Sequence, residues 1–314
     1  MITRPTTLIL GAGASAPFGF PTGDKLTQQV LNLTKLNDSS GRPYGMQHFA
    51  PLDLQEGEIL RFHNELLRSG KQSVDAFLEH RSEFVRIGKA AIAAVLIGYE
   101  NEDALLQPND KNWYKYLFNQ LNTKFDDFDQ NKLSVLTFNY DRSLEHYLFT
   151  ALLNSYGKPV EKCAEKMKSI PIVHLHGDLG ELPYFETDSM RPYTPKVSEY
   201  TMRVATKRIK IIHEGFDNAP QFEIAKKILS QSEVICFLGF GYHPTNLQRL
   251  GWNGSTFPHG KGKNIFCSSV GLTNAECEYI SNTYLLHLRG NHLLDYANWD
   301  ALRFLRETGV LQIR

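Results

Sequence analysis

Paired cysteines are missing from this sequence. Cys163, Cys236, Cys267 and Cys277 are the only four in 314 residues, and no two form a C-x-x-C pair. A zinc ribbon or a redox dithiol needs such close thiols, so both are excluded and the four read as ordinary reduced thiols. Cys236 and Cys267 fall inside apolar runs, where a free thiol behaves as a small hydrophobe. An excess of one charge is missing too: Lys and Arg total 34, and so do Asp and Glu. That balance removes the broad positive field behind non-specific nucleic-acid binding, and nucleic acid is not expected as a direct ligand. Long hydrophobic runs are also lacking. Leu8-Ile9-Leu10, after Met-Ile-Thr-Arg-Pro, is too short for a signal-peptide core or a membrane span, so the expectation is a cytoplasmic protein with no membrane partner. No internal repeat or low-complexity tract is visible.

Against these absences, 42% hydrophobic and 22% charged residues are ordinary values for a packed chain. Three apolar runs bounded by turn residues, Thr7-Leu10, Leu133-Phe138 and Val234-Leu238, read as buried parallel strands, with weaker runs at Ile170-Leu175 and Asn264-Cys267. Each ends in polar residues and glycine, where open α/β sheets hold their ligands. A helix is expected over Lys25-Leu36. Val74, Phe77, Leu78, Phe84, Ile87, Ile92, Val95 and Leu96 recur at helical spacing, with Ser73 or Asp75 as the cap. Pro183-Pro195 is aromatic, proline-rich and aperiodic, a loop suited to cover a pocket. The fold class expected is α/β: a doubly wound, Rossmann-like parallel sheet with a helical insertion.

The first strand runs straight into Gly11-Ala12-Gly13-Ala14-Ser15-Ala16, a G-x-G-x-x-A turn. Small residues there let backbone N–H groups approach a pyrophosphate, although such a turn after a strand is often only a turn. The acidic residue that dehydrogenases place about 20 residues further on, against the adenine ribose, is absent. Leu31-Asn32-Leu33-Thr34 stands there instead, which disfavours hydride transfer. After the second strand comes Asn139-Tyr140-Asp141. An asparagine amide both donates and accepts, so it can hold a ribose hydroxyl or an attacking water. Asp141 is equally placed to close an Asx turn and cap the helix starting at Arg142. Val173-His174-Leu175-His176-Gly177-Asp178 follows, and a histidine that titrates near neutral pH suits proton removal during glycosidic cleavage. His174 and His176 share one strand face if the strand continues, but no third ligand accompanies them and no metal is expected. Gly239-Phe240-Gly241-Tyr242 ends the last strong strand, as expected of backbone lying against an adenosine or its ribose; an apolar strand with a tight turn is the plainer reading.

Gly-Ala-Gly-Ala-Ser followed by Gly19-Phe20-Pro21-Thr22-Gly23 resembles the opening of the sirtuin family, especially its divergent branch in bacterial anti-phage defence systems. The resemblance continues in order: Asn139-Tyr140-Asp141 where sirtuins have Gln-Asn-x-Asp, His176-Gly177 where they carry the catalytic histidine, and Gly239-Phe240-Gly241 where they have Gly-Thr-Ser-Leu. Ser73-Val74-Asp75-Ala76-Phe77-Leu78 with Glu83-Phe84 is similar to the defence branch. The chain departs from the family at Thr22-Gly23-Asp24, where sirtuins end the turn in Asp-Phe-Arg, leaving Phe18 and Phe20 as substitutes on the nicotinamide side. It also has no four-cysteine zinc module and no clear acetyl-lysine channel.

The resemblance implies one sirtuin-like domain over 1–314, with Rossmann segments at about 1–36, 130–180 and 225–314 and a helical insertion at about 37–129. It implies NAD as substrate, with no metal, held by Gly11, Ala12, Gly13, Ala14, Ser15, Phe20, Pro21, Thr22, Gly23, Asn139, Gly239, Phe240 and Gly241. His176 is then the base and Asn139 the positioner, with Asp141 beside them. The implied activity is an NAD glycohydrolase that yields ADP-ribose and nicotinamide, acting as a regulated NAD-depleting effector of anti-phage defence, in the manner of abortive infection. A homo-oligomer is implied, as is a separately encoded HerA-type ATPase or other sensor protein as partner. Two further readings use the same pocket: an NAD-dependent deacylase or ADP-ribosyltransferase, and a non-catalytic sensor of NAD or ADP-ribose, which has no need of both Asn139 and His176.

Overall fold

Six short apolar runs pair side by side in a computed structural model that describes residues 1–37, 39–185, 187–211, 219–252, 262–285, 292–295 and 297–313. They are β1 (Thr6–Leu10), β2 (Leu133–Thr137), β3 (Ile172–His174), β4 (Val234–Leu238), β5 (Asn264–Cys267) and β6 (His292–Leu294). All neighbours are parallel, in the order β3-β2-β1-β4-β5-β6. The chain therefore steps outward from β1 to β3, returns to β1's other side at β4 and steps outward again. That is the doubly wound, Rossmann-like topology, with its switch point between β1 and β4.

Alternation along each strand splits the core in two. Leu8, Leu10, Val234, Cys236 and Leu238 join one apolar cluster, whereas Ile9, Ile235 and Phe237 join the other. Successive side chains point to opposite faces, so a strand apolar at every position must be covered on both. All five strands expected from the sequence are present, within a residue or two at their ends. β6 is an addition, since three residues are too few to show a period.

The stretch between β1 and β2 is helical. Gly23–Thr34, two residues earlier at each end than expected, is followed by Glu56–Arg68, Val74–Leu78, Val85–Ile97, Glu102–Leu106 and Trp113–Gln120. The single period seen from Val74 to Leu96 is two helices broken by a 3-10 turn at Ser82–Phe84, which folds Phe84 back onto Phe62 and Phe77 at ring separations of 5.7 and 5.8 Å. Ser73, not Asp75, is the cap: its Oγ accepts from the Ala76 amide at 3.1 Å.

One buried ion cluster ties this helical stretch to the sheet. Glu100, fully buried, receives Arg142 through two bonds of 2.9 and 2.8 Å and also pairs with Arg191. Arg142 further donates to the carbonyls of Gly180, Glu181, Arg191 and Pro192. Charges without water need such complete pairing. The Pro183–Pro195 segment is consequently anchored, through Arg191, beside β3. Among the described residues no helix is long and apolar enough to cross a membrane, and all four cysteines are free and buried.

At the switch point two backbones touch. The Gly11 amide donates to the Leu238 carbonyl at 3.1 Å and the Gly13 amide to the Gly239 carbonyl at 3.0 Å. Gly239 has φ +56°, and a Cβ there would lie 2.1 Å from the Ala14 nitrogen. A left-handed alanine costs about 1–2 kcal/mol and overpacking about 1–3 more. Gly239→Ala should therefore lower the unfolding free energy by about 2–5 kcal/mol in urea titration. Gly241→Ala, where a Cβ meets nothing within 4 Å, should stay within about 0.5 kcal/mol of the parent.

Candidate active site at the carboxyl ends of the strands

A cleft of about 370 Å³ opens beyond β1, β2 and β4. Gly11 and Ala12 form its floor. Phe138, Asn139 and His176 come from the ends of β2 and β3, and Phe240, Gly241, His243 and Asn246 from the end of β4. The facing wall is helical: Thr22, Gly23 and Asp24 begin one helix, and Gln72, Ser73, Asp75, Ala76 and Glu79 surround another. Of the residues expected at the site, Gly11, Ala12, Thr22, Gly23, Asn139, His176, Phe240 and Gly241 meet here.

The others lie behind the cleft. Gly13 and Gly239 make the backbone contact described above, and the Ala14 carbonyl accepts from the Trp113 indole at 2.7 Å. Ser15 is buried and receives the Asn139 amide. Phe20 packs against Tyr99 and Phe18 stacks on Tyr114 at 3.7 Å, with Pro21 buried beside them, so neither aromatic lines the cleft. The aromatics that do are Phe138 and Phe240. Asp141 accepts from the Ser143 amide at 3.2 Å and from its hydroxyl, the geometry of an Asx turn. Burial raises the pKa of that carboxyl.

Asn139 is held rigidly. Its Nδ2 donates to the Gly11 carbonyl at 3.0 Å and to Ser15 Oγ at 3.1 Å, while its own amide donates to Thr137 Oγ1. With both amide hydrogens engaged, the carbonyl oxygen is the group left to accept from a hydroxyl or water in the cleft.

His176 and His174 stand two residues apart in opposite states. His176 packs edge-on to Phe138 at 5.4 Å and near Phe222 and Tyr140, and its Nε2 is buried without a hydrogen-bond partner. Burial first, and the positive charge of Arg249 second, push its pKa down to about 3. His174 points elsewhere. Burial alone would lower its pKa, but the Glu145 carboxylate, 2.5 Å from Nε2, outweighs that and raises it to about 9. Its Nδ1 lies 2.8 Å from the Asn139 main-chain carbonyl. The two histidines therefore make no metal pair, and no group of three or more His, Cys, Asp or Glu is placed to hold a metal among the described residues.

Sequence reasoning missed the contribution of the helical wall. Asp75, whose pKa burial raises, bonds the Tyr140 hydroxyl, and Glu79 pairs with Arg249 at 3.1 Å. Ser268, after β5, supports the β4 turn through the Gly239 amide and the Tyr242 hydroxyl. Pro183–Pro195 does not cover this cleft. Leu182, Phe185, Thr187 and Ser189 line other cavities beside β3, where the Arg191–Glu100 pair holds the segment.

Neither a family model nor a curated protein matches the chain. Among solved structures it is similar to Sir2. The matching structure is Sir2 in complex with the inhibitor EX-527, 2'-O-acetyl-ADP-ribose and a deacetylated p53 peptide; the match covers 98% of this chain and 95% of that one at 15% identity, with a TM-score of 0.37. Likeness at that level adds nothing to the argument, which rests on the topology and the cleft.

The two histidines predict opposite pH responses. The folded-state pKa of His174 lies above its ordinary 6.5, so its stabilisation is complete below pH 6.5 and lost as pH rises through about 9; a shift of that size is worth about 3 kcal/mol. His176, held neutral, makes the fold less stable as pH falls from 6.5 toward 3. Urea titrations across both ranges should show two declines. His174→Gln should flatten the alkaline one and His176→Ala the acidic one.

Proposed function

We propose that the protein hydrolyses NAD at the nicotinamide–ribose bond, releasing nicotinamide and ADP-ribose. The observation that carries this reading is the buried, unpartnered Nε2 of His176 in a cleft shared with Asn139. Leaving such a nitrogen without a partner is unfavourable, by about 1–3 kcal/mol, unless a ligand or water supplies one. In the tautomer with its proton on Nδ1, Nε2 accepts, which suits a base acting on water or a ribose hydroxyl. The oxygen of Asn139 would orient that water. Water adds to the anomeric carbon as the bond to the nicotinamide nitrogen breaks, and the water's proton passes to His176.

The rest of the cleft fits a dinucleotide. Its volume lies in the usual range for small-molecule sites. The helix Gly23–Thr34 starts at the cleft without a side-chain cap from Thr22, and such an N-terminus favours phosphate. Phe138 and Phe240 offer flat apolar faces. Asp75 on the opposite wall, when ionised, would favour the positive charge that gathers on the ribose as the bond breaks, more than Glu79, whose charge Arg249 already meets. Burial keeps His176 neutral, so that its Nε2 is free to accept.

From the motif resemblance we also propose one sirtuin-like domain, a homo-oligomer, and a role in anti-phage defence as an NAD-depleting effector restrained until a partner such as a HerA-type ATPase releases it. An NAD hydrolase without restraint would exhaust its own cell.

Protein incubated with NAD, alone and with the product of the neighbouring gene, should release nicotinamide and ADP-ribose, and His176→Ala should lower kcat by about a hundredfold or more. Because the free-protein pKa of His176 is about 3, kcat/KM should not fall as pH drops through 6.5; a decline centred there would contradict a buried neutral base. Nicotinamide release that requires an acylated or nucleophilic acceptor would point to a deacylase or transferase. Tight binding without turnover in every condition would point to a sensor.

A further inference from the structure

His174 faces two groups that can only accept. Nδ1 is 2.8 Å from the Asn139 main-chain oxygen and Nε2 is 2.5 Å from a Glu145 carboxylate oxygen. Facing an ionised Glu145, both ring nitrogens donate and the ring is an imidazolium, in line with the rise of its pKa to about 9. A neutral ring would turn a lone pair toward one of the two oxygens and lose that bond. The carboxylate holds the Nε2 proton more strongly, so the bond to Asn139 is the one that goes.

Asn139 is the last residue before the chain turns away from β2, and its main-chain oxygen is the one group of that residue addressed from β3's side. The other bonds, to Gly11, Ser15 and Thr137, all approach from β1 or from β2 itself. His174 and Glu145 also line a second cleft, of about 530 Å³. Charged groups around His174 come from every element packed there: Glu145 from helix Ser143–Tyr156, Asp178 from the turn after β3, Arg208 bound to Asp178 at 2.6 Å, and Arg142 and Lys168 in the second cleft's lining. Glu145 contributes most to keeping the ring protonated, and Asp178, itself paired with Arg208, adds less.

We propose that His174, donating to both Asn139 and Glu145, is a positioning residue that clamps the Asn139 backbone and so aims its side-chain amide into the catalytic cleft. Its effect on turnover rests on the hydrolase reading above; the clamp itself does not. His174 touches no substrate. It acts through Asn139, and its protonation makes the aim of that amide sensitive to alkaline pH.

The test is Glu145→Gln, read in two ways. In the wild type, kcat for NAD cleavage should fall about tenfold per pH unit above 9, with KM changing much less. In Glu145→Gln that decline should start at least one pH unit lower, and His174→Gln should lose the decline while turning over more slowly at every pH. Independently of activity, protein labelled with ¹³C at asparagine carbonyls, the Asn139 signal assigned with Asn139→Asp, should show that carbon titrating with the His174 ring and shifting with it in Glu145→Gln. A flat Asn139 carbonyl signal would overturn the clamp whatever the activity. A titrating signal without NAD turnover would uphold the clamp and overturn the hydrolase reading. An alkaline decline unmoved by Glu145→Gln would remove His174 from turnover.

Discussion

The buried guanidinium of Arg142 is the interaction on which the rest of the architecture depends. It reaches Glu100, just after the helix Val85–Ile97, and four main-chain carbonyls of the 180–192 segment. A planar fork with five N–H donors can serve these six acceptors with one hydrogen shared between two carbonyls, which a lysine cannot. Its position in the chain extends the effect. Asn139 goes to Gly11 and Ser15, Tyr140 to Asp75, Asp141 to Ser143, Arg142 to Glu100 and Glu145 to His174. Five residues within the stretch 139–145 thus bind β1, the helical wall, the next helix and β3, and a shift at Arg142 would be felt by each of these contacts.

Opposite proton affinities in His174 and His176 follow from that placement. Both are buried near the same strand end, and burial by itself lowers the pKa of each. The difference is what each side chain faces. His176 looks onto phenyl rings and the positive charge of Arg249, so nothing offsets the lost hydration. His174 looks onto a carboxylate and a carbonyl, which together outweigh it. Adjacent groups whose environments push their proton affinities apart are the usual mark of divided labour at a site, here a neutral acceptor in the cleft and a charged donor behind it.

How much of this the sequence made legible depended on whether the signal was local. β1, β2 and β4 announce themselves because strands buried on both faces are apolar at every position, and Asn139 because it follows such a strand directly; His176 follows the weaker run Ile170-Leu175. The topology was readable for the same reason. β6 was not, being three residues long, and neither was the break at Ser82–Phe84, because apolar residues on both sides keep to the helical period. The places of Asp75 and Glu79 in the cleft wall, and of Ser268 behind the β4 turn, were hidden for a different reason. These residues come there only through tertiary packing across tens of residues, and nothing near them in sequence marks it. Phe18 and Phe20 show the converse: adjacent to a glycine motif, they look available, yet stacking on Tyr114 and packing on Tyr99 turn them into the core.

The glycine turn itself takes on a different meaning once its bonds are traced. G-x-G-x-x-A suggests amides free to meet a phosphate, but the Gly11 and Gly13 amides are already engaged by Leu238 and Gly239, and the Ala14 amide by the Gly11 carbonyl. What the small residues provide is room: with a Cβ at Gly11 or Gly13, atoms of the Gly239–Phe240 backbone would lie within 3 Å. β1 and β4 can then close on each other at the switch point, and the crevice that such folds leave there is displaced toward β2 and the helical wall. An anion in this cleft would find its positive pole at the second helix, Gly23–Thr34, and not at the first. Asp24, in that helix's first turn, lies at the same edge and limits how much negative charge the end can draw. The arrangement favours a ligand whose charge is spread along its length over one with a single concentrated anionic end.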